Sequence, residues 1–192
     1  MAFVQVYTGD GKGKTTAAIG LAIRALGAGH KVLFLQFMKD KRYGEHKVLA
    51  NLSPNLTLET LGKPYFVIKK EHATKELLKK YADSCVIFEP GKPPADYVQM
   101  TASGIARAHE AASGGQYNLV VLDELNCALF FELAKWAEVK ALITDRSPAT
   151  ELVFTGRNAP PELLALADLV TEFKAVKHYF DQGIEARKGI EM

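Results

Sequence analysis

The sequence is poor in cysteine, in net charge and in long apolar runs, and each shortage excludes a class of protein. The two cysteines, Cys85 and Cys127, have no neighbours at metal-ligand spacing, which argues against a zinc site. They are predicted to be buried thiols in a reduced setting, although two cysteines can also pair. A net charge of +2 does not indicate a nucleic-acid-binding surface. No apolar run reaches membrane-spanning length and no signal-peptide pattern stands at the start. A soluble, cytoplasmic protein without nucleic-acid or membrane partners is therefore expected.

The most informative segment is the glycine-rich stretch Thr8–Thr16, TGDGKGKTT. It follows an apolar run typical of a strand (3–7) and leads into a segment with helical periodicity (17–26). Between a strand and a helix, glycines let backbone N–H groups turn onto a phosphate, and the helix N-terminus adds partial positive charge. Lys14 is then predicted to contact phosphate oxygens, and the Thr15 hydroxyl to bind magnesium. The segment predicts a P-loop.

The loop departs from the usual P-loop pattern in two ways. Thr8 stands where the first glycine is expected, with Gly9 one residue late, and Asp10 and Lys12 place extra charges inside the loop. A strand-to-helix turn without a ligand is the alternative interpretation. Alternating glycines followed by Lys-Thr-Thr favour phosphate binding.

A second stretch, YNLVVLDE from Tyr117 to Glu124, is an apolar run that ends in two carboxylates. In P-loop proteins the first acid of such a strand holds magnesium directly or through water, and a following glutamate can bind metal or orient a water. Such runs also occur by chance, but after a P-loop this one predicts a metal-binding role for Asp123 and Glu124.

Other polar residues follow predicted strands, where ligands bind in open α/β sheets. Gln36 and Lys39 end the second strand and point toward the nucleotide, although a solvated loop is as good an explanation for Lys39. Arg157 follows the strand at 151–157 and can pair with a phosphate. His178 is a possible ligand contact, or a structural or exposed histidine.

Strands and helices alternate along the chain, which predicts one domain over residues 1–192 with a three-layer α/β fold around a mostly parallel sheet, that is, a P-loop NTPase-like (RecA-like) fold. The predicted strands are 3–7, 31–37, 56–61, 117–124, 151–157 and 169–173. The predicted helices are 17–26, 43–52, 69–84 and 97–112, then one or two helices over 126–143, and a short one from 160. Residues 85–96 are predicted to be a loop or small excursion, and are a candidate mobile lid.

The sequence resembles the P-loop type of ATP:corrinoid adenosyltransferase of the cobalamin pathway. The resemblance covers nearly the whole chain, in order: TGDGKGKTT (8–16), RALG (24–27), QFMK (36–39), LDELN (122–126), FTGRNAP (154–160), ADLVTE (167–172), KH (177–178), GI (183–184) and KGIE (188–191). It implies that a cobalt(I) corrinoid attacks the ribose 5′ carbon of ATP and that triphosphate leaves. It also implies a flavoprotein reductant, a homodimer, and magnesium or manganese as the metal.

Mapped onto this chain, the resemblance assigns roles to specific residues. The catalytic residues are Lys14, Thr15 and Glu124, and the metal ligands are Thr15, Asp123 and Glu124. Asp10 stands where the family commonly has asparagine. The residues assigned to ATP are Thr8, Gly9, Asp10, Gly11, Lys12, Gly13, Lys14, Thr15, Thr16, Arg24, Gln36 and Arg157.

The corrinoid half of the pattern differs from the family. Members usually carry a Gly-Phe-Thr-Trp-like segment after the third strand, whereas residues 62–68 are GKPYFVI, without tryptophan. Tyr65 and Phe66 are the candidate replacements, and each can equally be a core residue. Two other functions therefore stay open: an ATPase or small-molecule kinase on the same scaffold, and a non-catalytic module that binds ATP or a corrinoid.

Overall fold

The structure is a computed structural model that describes residues 1–40, 43–80, 84–184 and 186–191. Its strands are β1 (Val4–Thr8), β2 (Val32–Phe37), β3 (Leu56–Leu61), β4 (Phe66–Lys69), β5 (Cys85–Phe88), β6 (Leu119–Asp123), β7 (Glu151–Thr155) and β8 (Leu169–Glu172). Its α-helices are α1 (Lys14–Gly27), α2 (Gly44–Leu49), α3 (Lys75–Lys80), α4 (Ala95–Ser113), α5 (Leu125–Phe130), α6 (Trp136–Thr144) and α7 (Pro161–Leu166). Short 3₁₀ turns form at Lys70–His72 and Tyr179–Gln182.

The central sheet has six described strands in the order β3-β2-β6-β7-β1-β8, and every neighbouring pair is parallel. The P-loop strand β1 is therefore separated from the acid-bearing strand β6 by β7. Because all strands point the same way, their carboxyl ends meet at one edge of the sheet. This arrangement confirms the predicted α/β fold with a parallel sheet.

Two layers of helices cover the sheet, and successive residues of a strand pack against opposite layers. In β2, Phe34 packs with the α1 residues Ala18 and Ala22 on one face. Its neighbours Leu33 and Leu35 pack on the other face, in the cluster that includes the helix α4 and α6 residues. Since successive side chains of a strand point to opposite faces, strands buried on both sides need continuous apolar runs. All six residues of β2 are buried.

The region between β3 and α4 differs from the sequence-based expectation. Residues 85–88 were expected in a loop, but they form β5, which pairs in parallel with β4 in a separate two-stranded sheet. The expected helix at 69–84 is reduced to α3, because its first residues form the end of β4 and a 3₁₀ turn. Residues 81–83 of that expected helix lie outside the described residues. The apolar triplet at 86–88 was too short for periodicity to distinguish a strand from a loop.

Within the part of the chain that the structure describes, no helix is both long enough and apolar enough to cross a membrane.

Candidate active site

The P-loop lies between β1 and α1 and is packed against the end of β8. Gly9 and Gly13 have φ values of 95° and 117°, in the left-handed region that favours glycine. Gly11 is required for a different reason, because a Cβ there would lie 2.7 Å from the carbonyl carbon and oxygen of Phe173. The Gly11 N–H donates to that oxygen at 2.7 Å, and the Phe173 N–H donates to the Thr8 carbonyl at 2.8 Å. The loop thus has a fixed backbone partner on one side.

Lys14, the first residue of α1, turns back over the loop that precedes it. Its Nζ donates to the carbonyl oxygens of Gly9 and Gly11, each at 2.7 Å. Only 7% of the residue is exposed, and this burial lowers the pKa of Lys14 even though Glu124 nearby acts in the opposite direction. The ammonium is therefore held at the loop centre by neutral carbonyl acceptors, which the anionic oxygens of a phosphate can replace with bonds between opposite charges.

The Asp123 carboxylate at the end of β6 is fully buried and accepts four hydrogen bonds. Its Oδ1 accepts from the hydroxyls of Thr15 at 2.8 Å and Thr155 at 2.6 Å. Its Oδ2 accepts from Gln36 Nε2 at 3.1 Å and Lys39 Nζ at 2.9 Å. A buried carboxylate needs such compensation, and here its acceptor capacity is already used.

Glu124 follows Asp123 in an unusual backbone conformation. Its φ of 63° places a non-glycine residue in the left-handed region, and its N–H donates to the Thr155 hydroxyl at 3.0 Å. This turn ends β6 and directs the Glu124 side chain toward the cavity at the P-loop. Burial, and then the charge of Asp123, raise the pKa of Glu124. Strained backbone of this kind is concentrated at functional sites.

A cavity of about 790 Å³ opens beside the P-loop and is lined by most of the residues assigned to ATP. Eight of them line it, namely Asp10, Gly11, Lys12, Gly13, Lys14, Thr15, Thr16 and Arg157, and Glu124, which was assigned to the metal, lines it as well. Asp10 and Arg157 form an ion pair in its wall, with 3.8 Å between Oδ1 and Nε. His178 also lies in the wall. The structure therefore brings the charged loop residues Asp10, Lys12 and Lys14 together with Glu124 and Arg157, which lie far from the loop in the sequence.

Four of the assigned ATP residues lie elsewhere. Thr8 and Gly9 lie behind the loop, where Gly9 faces the backbone of Phe173. Gln36 is fully buried and supports Asp123, so it is a neighbour of the site rather than part of its wall. Arg24 is an exposed residue in the last turn of α1. Ten residues of helix separate it from Lys14, which corresponds to about 15 Å.

A second, smaller cavity of about 270 Å³ adjoins the first and contains both residues predicted to bind a corrinoid. Tyr65 lines the smaller cavity, its hydroxyl donating to Asp96 at 3.0 Å. Phe66, Met38 and Tyr43 line both cavities. Phe66 is 52% exposed, so it is a surface residue at the junction of two cavities and not part of the core.

Sequence reasoning missed several residues of this site. Thr155 bonds Asp123 and orients Glu124, and its only signal was a polar residue at the carboxyl end of β7. Cys127 lines the large cavity, and burial raises the pKa of its thiol. The chain end returns to the loop, where Lys12 Nζ donates to the Ile190 carbonyl at 3.3 Å and lies 3.9 Å from Glu191. Both cysteines are unpaired and only partly buried.

The oxygen atoms near the P-loop fit the predicted magnesium or manganese ion. Thr15 and Glu124 offer a hydroxyl and a carboxylate to the cavity, and hard divalent cations prefer oxygen ligands. Lys39 already places a positive charge 3.1 Å from Thr15 Oγ1, which shows that the position accepts a cation. Among the described residues, no group of three His, Cys, Asp or Glu side chains could hold a metal alone. A magnesium ion is often held by one or two carboxylates together with substrate phosphates, so this donor set suits an ion that binds with a nucleotide.

Comparison with known proteins agrees with the site. The profile of the family described as ATP:corrinoid adenosyltransferase BtuR/CobO/CobP matches residues 1–192. A corrinoid adenosyltransferase of Pseudomonas aeruginosa is 33% identical, over 97% of this chain and 81% of that protein. The corrinoid adenosyltransferase of Escherichia coli K12 and the corrinoid adenosyltransferase CobA of Salmonella typhimurium are each 32% identical, over 97% of this chain and 83% of each relative. With its P-loop, its buried acids and this match along its whole length, the chain belongs to the ATP:corrinoid adenosyltransferase family BtuR/CobO/CobP, a family of enzymes.

Proposed function

We propose that this protein transfers the 5′-deoxyadenosyl group of ATP to the cobalt(I) of a corrinoid, in the synthesis or salvage of adenosylcobalamin. One observation carries the proposal beyond family membership: the cavity with the P-loop cations adjoins a second cavity across Phe66. A triphosphate at the P-loop and a corrinoid at the second cavity would bring the ribose between them. An ATPase, whose acceptor is water, has no need for the second cavity, whereas an enzyme that transfers a group to a corrinoid does.

In the proposed reaction, cobalt(I) donates an electron pair to the 5′ carbon of the ribose. A cobalt–carbon bond forms, the bond between that carbon and the triphosphate oxygen breaks, and cobalt becomes formally cobalt(III). The leaving triphosphate gains negative charge in the transition state. Lys14, Lys12 and Arg157 are the cations that would stabilise it, together with the N–H groups at the start of α1. No general base is required, so catalysis depends on positioning and on exclusion of water.

For the metal, we propose Thr15 and Glu124 as ligands and Asp123 as their support. Asp123 has its acceptor sites occupied, and its bond from Thr15 orients the hydroxyl. A bound magnesium or manganese ion would neutralise charge on the triphosphate. Glu124 is the carboxylate that faces the cavity, so it is the better candidate for direct contact.

For the corrinoid, we propose Phe66 and Tyr65 as contacts. Phe66 presents an exposed ring at the junction of the cavities, where an aromatic face can pack against a macrocycle. Tyr65 is held by its bond to Asp96 and by an edge-on contact with the Tyr97 ring, with centroids 5.7 Å apart. These contacts keep the phenol ring in place at the smaller cavity.

Three further assignments extend the proposal to the cellular setting. A flavoprotein would supply electrons to reduce the corrinoid cobalt, the protein would act as a homodimer, and it would work in the cytoplasm. Sedimentation at micromolar concentration tests the dimer, with a monomer mass as the contrary result. Reduction of a cobalt(II) corrinoid by a purified flavoprotein, with and without this protein, tests the reductant.

Product analysis under anaerobic, reducing conditions tests the reaction itself. The protein is incubated with ATP, magnesium and a cobalt(I) corrinoid, and the products are separated in the dark. We expect a light-sensitive adenosylated corrinoid and triphosphate in equal amounts. ADP and phosphate with unchanged corrinoid would instead indicate an ATPase or kinase. ATP binding without turnover would indicate a binding module.

A further inference from the structure

Lys39 occupies a central position, although the family resemblance assigned it no role. Its ammonium lies between two residues proposed for the metal site, 3.1 Å from the Thr15 hydroxyl and 2.9 Å from Asp123 Oδ2. It also lies 3.9 Å from a carboxylate oxygen of Glu45. The side chain is 12% exposed and lines the large cavity. A single positive charge thus sits among three oxygen-bearing side chains at the wall of the nucleotide cavity.

The backbone at Lys39 is held in place by the end of β3. Met38, immediately before it, has a φ of 57° and donates its N–H to the Leu61 carbonyl at 2.9 Å. Gly62 packs so closely that a Cβ there would lie 2.3 Å from the carbonyl carbon and oxygen of Lys39. The backbone of Lys39 is therefore fixed, and only its flexible side chain can move away from the carboxylates.

Of the four donors to Asp123, Lys39 is the one best able to leave. Gln36 is fully buried, and its Oε1 is bonded to His46 Nε2 at 2.5 Å. The hydroxyls of Thr15 and Thr155 are on short side chains with fixed reach. Lys39 alone among the four has a long side chain on the cavity wall, so phosphate oxygens can offer its ammonium a new partner.

We propose that Lys39 is a positioning residue that fills the cation position between Thr15 and Asp123 until a nucleotide binds, so that a divalent metal enters only together with the triphosphate. The triphosphate would draw the ammonium away from Asp123 and supply the oxygen ligands that the protein lacks. The metal would then take the vacated position beside Thr15. This inference rests on the proposed ATP and metal binding, and it adds an order of events to them.

Manganese binding to the nucleotide-free protein tests the inference, with free Mn²⁺ measured by electron paramagnetic resonance. We expect weak binding by the wild-type protein. Lys39→Met and Lys39→Gln, which remove the charge, should tighten Mn²⁺ binding about tenfold or more, because a repelling cation a few ångströms away is lost. Lys39→Arg should restore weak binding. Lys140→Met removes an exposed lysine of α6 and should leave Mn²⁺ binding unchanged.

A second substitution tests where Mn²⁺ binds in the Lys39 variants. Thr15→Val in the Lys39→Gln background should abolish the gain, whereas Thr15→Ser should keep it. Lys39→Gln retains a hydrogen-bond donor for Asp123, so it is the variant to use if Lys39→Met does not fold.

Two results would overturn the inference. One is tight Mn²⁺ binding by the nucleotide-free wild-type protein, which needs no variant. The other is unchanged Mn²⁺ binding in folded Lys39→Gln. Because neither measurement involves a corrinoid or ATP turnover, either result would leave the proposed adenosyl transfer to be judged by its own product analysis.

Discussion

At the scale of single residues, the proposed nucleotide site is built from buried charged groups that have hydrogen-bond partners within the protein. Asp123 is surrounded by donors from four different elements or loops, and Lys14 is held by carbonyls of its own loop. Burial lowers the pKa of Lys39, but the charge and hydrogen bond of Asp123 outweigh burial and leave that pKa above the ordinary lysine value. Lys14 and Glu124 differ from Lys39, because burial disfavours their charged forms: it lowers the pKa of Lys14 and raises the pKa of Glu124.

Replacement of Lys14 tests the P-loop. Lys14→Ala should lower adenosyl transfer by about 100-fold or more, because a buried cation at the triphosphate is lost. Burial already disfavours the charged form of Lys14, so its removal should change the free energy of unfolding by no more than about 1 kcal/mol. Initial rates and urea unfolding measure the two effects. Lys140→Ala is the control, and wild-type activity in Lys14→Ala would mean that the P-loop assignment is wrong.

Replacement of Glu124 tests whether the pKa of its carboxyl is raised in the folded protein. The pKa of Glu124 is raised, so as pH increases the unfolded chain releases this proton first and the folded state loses stability. The loss begins near the unfolded value, about 4.3, and is complete above the folded pKa. Glu124→Gln should therefore stabilise the protein at pH 8 by on the order of 1 kcal/mol and have little effect near pH 4.

Urea unfolding of both proteins between these pH values measures that difference. The same substitution should lower adenosyl transfer, because the proposed metal ligand is lost. A stability difference that is constant with pH would contradict the assigned pKa shift.

At the scale of elements, the carboxyl ends of β1, β2, β6, β7 and β8 converge and supply the site. The P-loop follows β1, Lys39 follows β2, the acids end β6, Thr155 ends β7 and Phe173 follows β8. Parallel strands place all these ends at one edge. The small β4–β5 sheet then adds Phe66 beyond that edge, where the two cavities meet.

Phe66→Ala tests the corrinoid role of the β4–β5 unit. Because the ring is 52% exposed, we expect little change in stability. Transfer to a corrinoid should fall roughly tenfold, while ATP binding stays unchanged. Ile87→Ala is a matched control, since Ile87 lies on the neighbouring strand and is 46% exposed. Equal losses in both variants would point to the sheet's stability and not to a corrinoid contact.

Gly62→Ala tests the contact between the end of β3 and Lys39. The added Cβ meets backbone atoms of Lys39 at 2.3 Å, so the chain must shift, at a cost of about 1–3 kcal/mol. Gly20→Ala makes the same chemical change in α1, where a Cβ meets nothing within 4 Å. There the helix should gain up to about 1 kcal/mol. Urea unfolding should show a lower free energy of unfolding for Gly62→Ala and a higher one for Gly20→Ala. A change of the same sign in both variants would contradict the close contact at Gly62.

At the scale of the whole molecule, ATP should stabilise the folded protein, because the site exists only when five strand ends are assembled. At an ATP concentration of 100 times Kd, the expected gain is about 2.7 kcal/mol. Thermal unfolding with and without ATP measures it. Lys14→Ala should show a smaller gain at the same ATP concentration, and an equal gain would place ATP elsewhere on the protein.

The sequence by itself determined the parallel α/β fold and the centre of the proposed nucleotide site. Apolar runs buried on both faces, helical periodicity and the TGDGKGKTT loop are local signals, and they predicted the central strands, the P-loop and the two acids of β6. The resemblance to the family, which its profile confirms, came from short blocks spread along the chain.

Only the tertiary structure decided which distant side chains meet. Arg24 and Gln36 looked equivalent in sequence to other polar residues near the ends of elements, yet one is exposed far along α1 and the other is buried behind Asp123. Thr155 and Lys39 donate hydrogen bonds to Asp123 because β7 and β2 lie on either side of β6, and no local sequence pattern encodes this strand order. The β4–β5 pairing was missed because short strands owe their form to contacts with a partner strand and not to their own residues.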